Sequence, residues 1–203
     1  MNLMTKFFRR LIVTFILFQL LIICPVKVLA ESQEAIFAGG CFWCLEHDLE
    51  KIDGVKSVQS GYSGGDLLKP TYENHMGHQE VVKVNFNSEV ISYKELLNNY
   101  WINIDPFDDE GQFCDRGESY KPVIFTSNEE QKSDVEDSKE SISLALNISS
   151  DQLKVAIVDA KPFWIAEEYH QDFAVKNPLR YKIYRTSCGR DNRLKKVWGE
   201  YRH

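Results

Sequence analysis

Cys41 and Cys44 stand at i and i+3 in the run Gly39-Gly40-Cys41-Phe42-Trp43-Cys44, directly after the apolar stretch Ala35-Ile36-Phe37-Ala38. An apolar strand followed by two glycines predicts a tight strand-to-helix turn that leaves Cys41 at the head of a helix. A thiol there feels the positive end of the helix dipole, so the pattern predicts a lowered pKa and a nucleophilic thiolate. Residues at i and i+3 share a helix face, which puts Cys44 within reach as a disulfide partner. This is the pattern of a redox site.

Two further clusters supply groups that could handle protons. Pro70-Thr71-Tyr72-Glu73-Asn74-His75-Met76-Gly77-His78-Gln79-Glu80 ends in a valine-rich, strand-like segment, and Gly111-Gln112-Phe113-Cys114-Asp115-Arg116-Gly117-Glu118-Ser119-Tyr120 is a glycine-bounded loop. Burial at the start of a valine-rich strand would raise the pKa of Glu80 and keep it a proton donor near neutrality. His75 and His78 show no closed metal-ligand spacing with neighbouring cysteines and carboxylates, so His78 is read as a structural hydrogen-bonding residue. Cys114 is read as a small half-buried residue beside the site. His170 and Asp172 are read as framework.

At this point the sequence resembles the A-type peptide methionine sulfoxide reductases, from about Glu34 to Asn177. Gly40-Cys41-Phe42-Trp43 matches that family's nucleophile signature. Gly61-Tyr62-Ser63-Gly64-Gly65, Pro70-Thr71-Tyr72, Gly77-His78-Gln79-Glu80-Val81-Val82 and Asp115-x-Gly117-x-x-Tyr120 match its following segments in order. The resemblance implies reduction of methionine-S-sulfoxide, protein-bound or free, in the service of protein repair. Cys41 would attack the sulfoxide sulfur, with Glu80 as acid and the Tyr72 and Tyr120 hydroxyls as hydrogen-bond donors. Phe42 and Trp43 would cage the substrate methyl, and Asp115 would accept a hydrogen bond from a substrate amide. Cys41 would be left as a sulfenic acid, resolved by a second thiol. Family members commonly have glycine at the position of Cys44 and often recycle through cysteines in a glycine-rich C-terminal tail. Cys44 and Cys188 both remain candidates for the resolving thiol, alone or in relay. The resemblance also implies no metal, no bound organic cofactor and a thioredoxin-like reductant.

Two other chemistries use the same cysteines. A general thiol–disulfide exchanger would use Cys41 and Cys44, but it has no evident use for Glu80, Tyr72 and Tyr120. A zinc module would need paired spacing that the single cysteines at 114 and 188 do not repeat.

The elements that must position these groups are interspersed strands and helices. Val55 to Tyr62, Glu80 to Phe86, Pro122 to Thr126 and Lys154 to Asp159 read as strands. Ser92 with Glu95, and Ser127 with Glu130, form capping boxes that open two helices, the second with a solvated acidic face from Glu129 to Glu140. Ala166 to Lys176 reads as a helix stopped by Asn177-Pro178, and the tail from about residue 180, with Cys188, reads as irregular. The interspersed order fits an α+β class in one compact domain. The resemblance refines it to a mixed sheet with flanking helices, a two-layer sandwich on a ferredoxin-like core.

Residues 1–30 are set apart from that domain. Lys6, Arg9 and Arg10 precede the apolar run Leu11 to Cys24, and Val28-Leu29-Ala30 offers small residues for cleavage. This is a secretory signal pattern, shorter than a comfortable membrane span, with an uncleaved anchor as the alternative. Export to a periplasmic or extracellular space follows as an expectation. Residues 31–203 then form the catalytic domain, with monomer as the default state. Loss of the four basic residues Lys6, Arg9, Arg10 and Lys27 moves the formal charge from −6 to −10. So acidic a domain is a poor nucleic-acid binder.

Overall fold

The computed structural model describes residues 32–202; the predicted signal segment lies outside them. A six-stranded mixed sheet forms the centre. Strands β1 (Ser32–Ala38), β2 (Val55–Ser63), β3 (Gln79–Asn87), β6 (Val123–Thr126), β7 (Ala156–Asp159) and β8 (Trp164–Ile165) lie in the order β7-β6-β1-β3-β2-β8. All neighbours are antiparallel except β6 and β7, which are parallel. With helices α1 (Phe42–Leu49) and α2 (Tyr93–Trp101), strands β1, β2, β3 and β6 make a β-α-β-β-α-β unit in the order β6-β1-β3-β2. That is the expected ferredoxin-like core. The short strands β4 (Gly111–Gln112) and β5 (Asp115–Arg116) form a separate hairpin.

Period-2 alternation sends each strand's apolar residues to both faces. Ala35 and Phe37 of β1 enter the large core with Tyr62, Val82, Val84, Phe86, Leu96 and Trp101, while Ile36 and Ala38 join Val81, Val123 and Phe125 in a smaller cluster. Helix α2 opens with the predicted Ser92–Glu95 capping box. Its buried Tyr100 hydroxyl donates to the Ala38 carbonyl at 2.8 Å, fixing the end of β1 where the chain turns towards Cys41.

Three local expectations are corrected. Helix α3 (Glu129–Ala145) is capped by Asn128 and not by Ser127: the Asn128 side chain accepts from Gln131 N–H, and the Gln131 side chain returns to Ser127 N–H. The stretch from Ala166 is broken into a short 3₁₀ turn, Glu168–His170, and helix α4 (Phe173–Lys176), because Asp172 takes φ +54°. The tail is helical: α5 (Pro178–Ser187) and α6 (Arg190–Trp198) follow α4. Pro178 starts a helix here, since proline at a first helical position lacks only an N–H that would be unpaired anyway. Leu194 and Trp198 are buried in the main core, with the Trp198 Nε1–H donating to the Ile104 carbonyl at 2.8 Å.

Gly40 makes the turn into α1 at φ +81°, and an added Cβ would sit 2.7 Å from Gln112 Cβ. Gln112 is fully buried and bonds both the N–H and the carbonyl of Asp105, so it cannot retreat. Gly40→Ala is expected to lower stability by about 2–4 kcal/mol, from the left-handed conformation plus the overlap. A urea unfolding midpoint checks this; an unchanged midpoint would mean the turn is not conformationally demanding.

Candidate active site

Cys41 is the N-cap residue of α1, as the glycine pair predicts. It is 93% hidden from solvent and forms, with Phe42, Trp43, Tyr72, Glu80, Asp115, Tyr120 and Tyr184, the lining of a cavity of about 50 Å³. Wider clefts of about 470 and 630 Å³ elsewhere on the surface are lined by no cysteine, and one of about 500 Å³ carries only the disulfide-bonded Cys188. Chemistry, and not size, marks the functional pocket. Seven of its eight lining residues are those singled out from the sequence; Tyr184 is the addition.

The β2–β3 register places Glu80 opposite Tyr62 at the strand end facing the head of α1. The Glu80 carboxylate accepts the Phe42 backbone N–H at 3.1 Å, one of the unpaired amides of the helix start, and it also accepts a hydrogen bond from the Tyr120 hydroxyl. Burial outweighs both and pushes the Glu80 pKa up to about 8, with the nearby Asp115 and Cys44 charges adding to the rise. At neutral pH Glu80 therefore carries a proton. Burial likewise raises Tyr72 and Tyr120, so both phenols stay protonated donors.

The cysteines depart from expectation. Burial raises the Cys41 thiol well above its ordinary value, reinforced by its hydrogen bond with Cys44 and by the charges of Cys44 and Glu80. Desolvation outweighs the helix dipole that suggested a lowered value. It is Cys44 that is lowered, to about 7, first by the Cys41 hydrogen bond and then by the positive charges of Arg190 and Arg185. Burial and the shared hydrogen bond thus hold the Cys41 thiol up, while the nearby guanidinium groups favour negative charge at Cys44.

The aromatic side of the pocket is built from far along the chain. Trp43 stacks on Phe173 at 3.6 Å between centroids and 6° between planes, and its Nε1–H donates to His170 Nδ1 at 3.0 Å. His170 is buried, and desolvation lowers its pKa, so it stays neutral and accepts. Its ring also lies 4.9 Å from that of Phe42 and 4.5 Å from that of Tyr72. Glu167 ties the Tyr72 backbone N–H and the Tyr62 hydroxyl together at 2.9 and 3.0 Å. His78 is structural, bridging the Leu67 carbonyl and Gly65 N–H.

Asp115 turns its carboxylate into the site and accepts from the Tyr184 hydroxyl at 2.5 Å and from the Cys41 backbone N–H. The Cys188 Sγ lies 3.9 Å from the same carboxylate. Cys188 is not on an irregular tail but at the C-cap of α5, and it is bonded to Cys114 with an S–S distance of 2.04 Å. Cys114, read from the sequence as a half-buried bystander, is an exposed member of that disulfide, while Cys41 and Cys44 are free. Beneath the turn, buried Arg190 donates to the carbonyls of Asn103 (2.7 Å) and Gly39 (3.4 Å) and lies over the Phe113 ring at 4.4 Å. Tyr184, Phe173 and Arg190 escaped the sequence reading, and His170 was read there only as framework; a helical reading of the tail would have exposed Tyr184 and Arg190.

A buried thiol, an acid held protonated and hydroxyl donors around one small apolar-walled pocket define a thiol-dependent oxidoreductase. The family model described as peptide methionine sulfoxide reductase matches residues 33–202. The chain is 45% identical over 179 residues to peptide methionine sulfoxide reductase MsrA 2 of Caulobacter vibrioides, covering 86% of this chain and 90% of that one. It is 50% identical over 157 residues to MsrA of Ligilactobacillus salivarius, covering 75% and 91% respectively. The solved structure of Mxr1 from Saccharomyces cerevisiae in reduced form is similar with a TM-score of 0.68 at 28% identity, over 74% of this chain and 88% of that chain. The chain belongs to the peptide methionine sulfoxide reductase family. Its activity is thiol-dependent reduction of methionine sulfoxide to methionine.

Proposed function

We propose that Cys41 is the nucleophile, Glu80 the proton donor and Cys44 the resolving thiol in reduction of the S epimer of methionine sulfoxide. The observation that carries this reading is the convergence of Cys41, Glu80, Tyr72 and Tyr120 on one small cavity. The substrate methyl lies against Phe42 and Trp43, and the sulfoxide oxygen faces Glu80 and the two phenols. Cys44 accepts the Cys41 proton as the Cys41 sulfur attacks the sulfoxide sulfur, while Glu80 protonates the oxygen. The oxygen ends on Cys41 as a sulfenic acid and methionine leaves. The Cys44 thiol then displaces that oxygen as water, giving a Cys41–Cys44 disulfide.

The second cysteine pair completes a relay. Cys188 thiol attacks the Cys41–Cys44 disulfide, Cys114 thiol attacks the mixed disulfide in turn, and the product is the state observed: two free thiols at 41 and 44 and a bond between 114 and 188. A thioredoxin-like dithiol protein would then reduce the exposed pair. The basic residues Lys6, Arg9 and Arg10 followed by the apolar run Leu11 to Cys24 support export, so reduction would take place in the periplasmic or extracellular space, with a monomer as the default state.

The reaction is tested by mixing purified protein and dithiothreitol with the separate S and R epimers of a methionine sulfoxide peptide. Turnover of the S epimer alone is expected; turnover of neither, or of R alone, would overturn the reading. The relay is tested with the Cys114→Ser/Cys188→Ser double variant. With dithiothreitol its rate should stay within about twofold of wild type, whereas with thioredoxin and its reductase it should fall about tenfold or more. An undiminished thioredoxin-driven rate would mean that Cys41–Cys44 is reduced directly.

A further inference from the structure

Met1, Met4 and Met76 are the three methionines of the sequence, so the domain beyond position 30 carries a single thioether. Met76 is 81% exposed. It sits at the tip of the turn His75–His78, closed by the His78 N–H on the His75 carbonyl at 2.9 Å, with Gly77 at φ +82°. The base of the turn is firmly held. His75 Nδ1 lies 3.1 and 3.0 Å from the carbonyls of Thr71 and Tyr72, and its ring stacks on Tyr62 at 5.1 Å. The same loop delivers Tyr72 to the catalytic cavity. An oxidisable side chain therefore projects from a rigid stalk, on a loop shared with the site that reduces its oxidised form.

We propose that Met76 is an oxidation site and that its sulfoxide is a substrate for the active site of a second copy of this chain; this rests on the epimer-specific reading above. Hydrogen peroxide transfers one oxygen to the Met76 sulfur: the peroxide O–O bond breaks, an S–O bond forms, the sulfur loses two electrons and water leaves. In a second molecule, Cys41 takes that oxygen as a sulfenic acid, restoring the thioether. Cys44 then forms the disulfide with loss of water, and dithiothreitol returns the two electrons. Repair would pass between molecules, since His75 beside Met76 is fastened to the Thr71 and Tyr72 carbonyls and stacked on Tyr62 while Met76 itself faces solvent. The consequence is a peroxide-consuming cycle in which the enzyme's own surface serves as both trap and client.

The test uses full-length Cys41→Ser protein, which has no nucleophile of its own. It is treated with hydrogen peroxide, cleared with catalase, and mixed with mass-tagged wild type and dithiothreitol. The Met76 peptide is then followed by mass spectrometry, alongside a control peptide carrying methionine-S-sulfoxide. Peroxide makes both epimers, so the oxidised Met76 peptide is expected to fall by about half and stop there, because one enzyme serves one epimer. Three outcomes would overturn the proposal: Met76 resisting peroxide that oxidises free methionine, its sulfoxide persisting while the control peptide is reduced, or repair in oxidised wild type at a rate independent of protein concentration. Failure of the control peptide itself would instead strike the reductase reading on which the proposal depends.

Discussion

Replacing Cys41 by serine is expected to abolish sulfoxide turnover, a loss on the order of 10⁵-fold or more that leaves only background. A hydroxyl at this position is far less nucleophilic than sulfur, and it cannot carry the oxygen away as a sulfenic acid. The substitution is small and sits at an N-cap, where serine is well tolerated, so the fold should survive. Circular dichroism alongside the S-epimer assay separates lost chemistry from lost structure. A folded Cys41→Ser protein that still turns over would reassign the nucleophile, with Cys44 the next candidate.

Glu80→Gln should cut single-turnover methionine release by about 10²-fold, the lower end of what a positioned general acid contributes. The amide keeps the shape and can still accept the Phe42 N–H, so what disappears is the proton. The pH profile carries the sharper signature. Below about pH 7 Cys44 holds its own proton and cannot take that of Cys41; above about pH 8 Glu80 has lost the proton it must give. Wild-type kcat/KM should therefore rise through about 7 and fall through about 8. In Glu80→Gln the acid limb should remain and the alkaline limb should vanish. Retention of the alkaline limb in the variant would assign it to another group and remove Glu80 from the proton-donating role.

The parts of the site that were legible in the sequence are those whose chemistry is local. Two glycines before a cysteine specify a helix start, and a glutamate opening a valine-rich alternating run specifies a buried acid on a strand. The Ser92–Glu95 box was readable because both partners lie within one turn. Where two overlapping patterns competed, the sequence was ambiguous: Ser127 with Glu130 and Asn128 with Gln131 both suit a helix start, and the side chain of Gln131 decides it by bonding back to Ser127. The tail was misjudged because Asn177-Pro178 can end one helix and begin the next. That single ambiguity hid Tyr184, Arg190 and the helical setting of Cys188. The Cys114–Cys188 pairing spans 74 positions, and Phe113 beside Cys114 takes φ +58°, information that no local window contains.

The Cys114–Cys188 bond gives the catalytic cycle a mechanical side. A cross-link closing a loop of 74 residues withholds about 4 kcal/mol of chain entropy from the unfolded state, and it fastens α5, with Tyr184, to the loop bearing Asp115. In the proposed relay this same bond would open and close once per round. On that relay the wall of the pocket would be cinched each time oxidising equivalents arrive and relaxed each time electrons are delivered. An enzyme deprived of reductant would wait in its most tightly fastened form, ready to outlast the oxidative episode it serves.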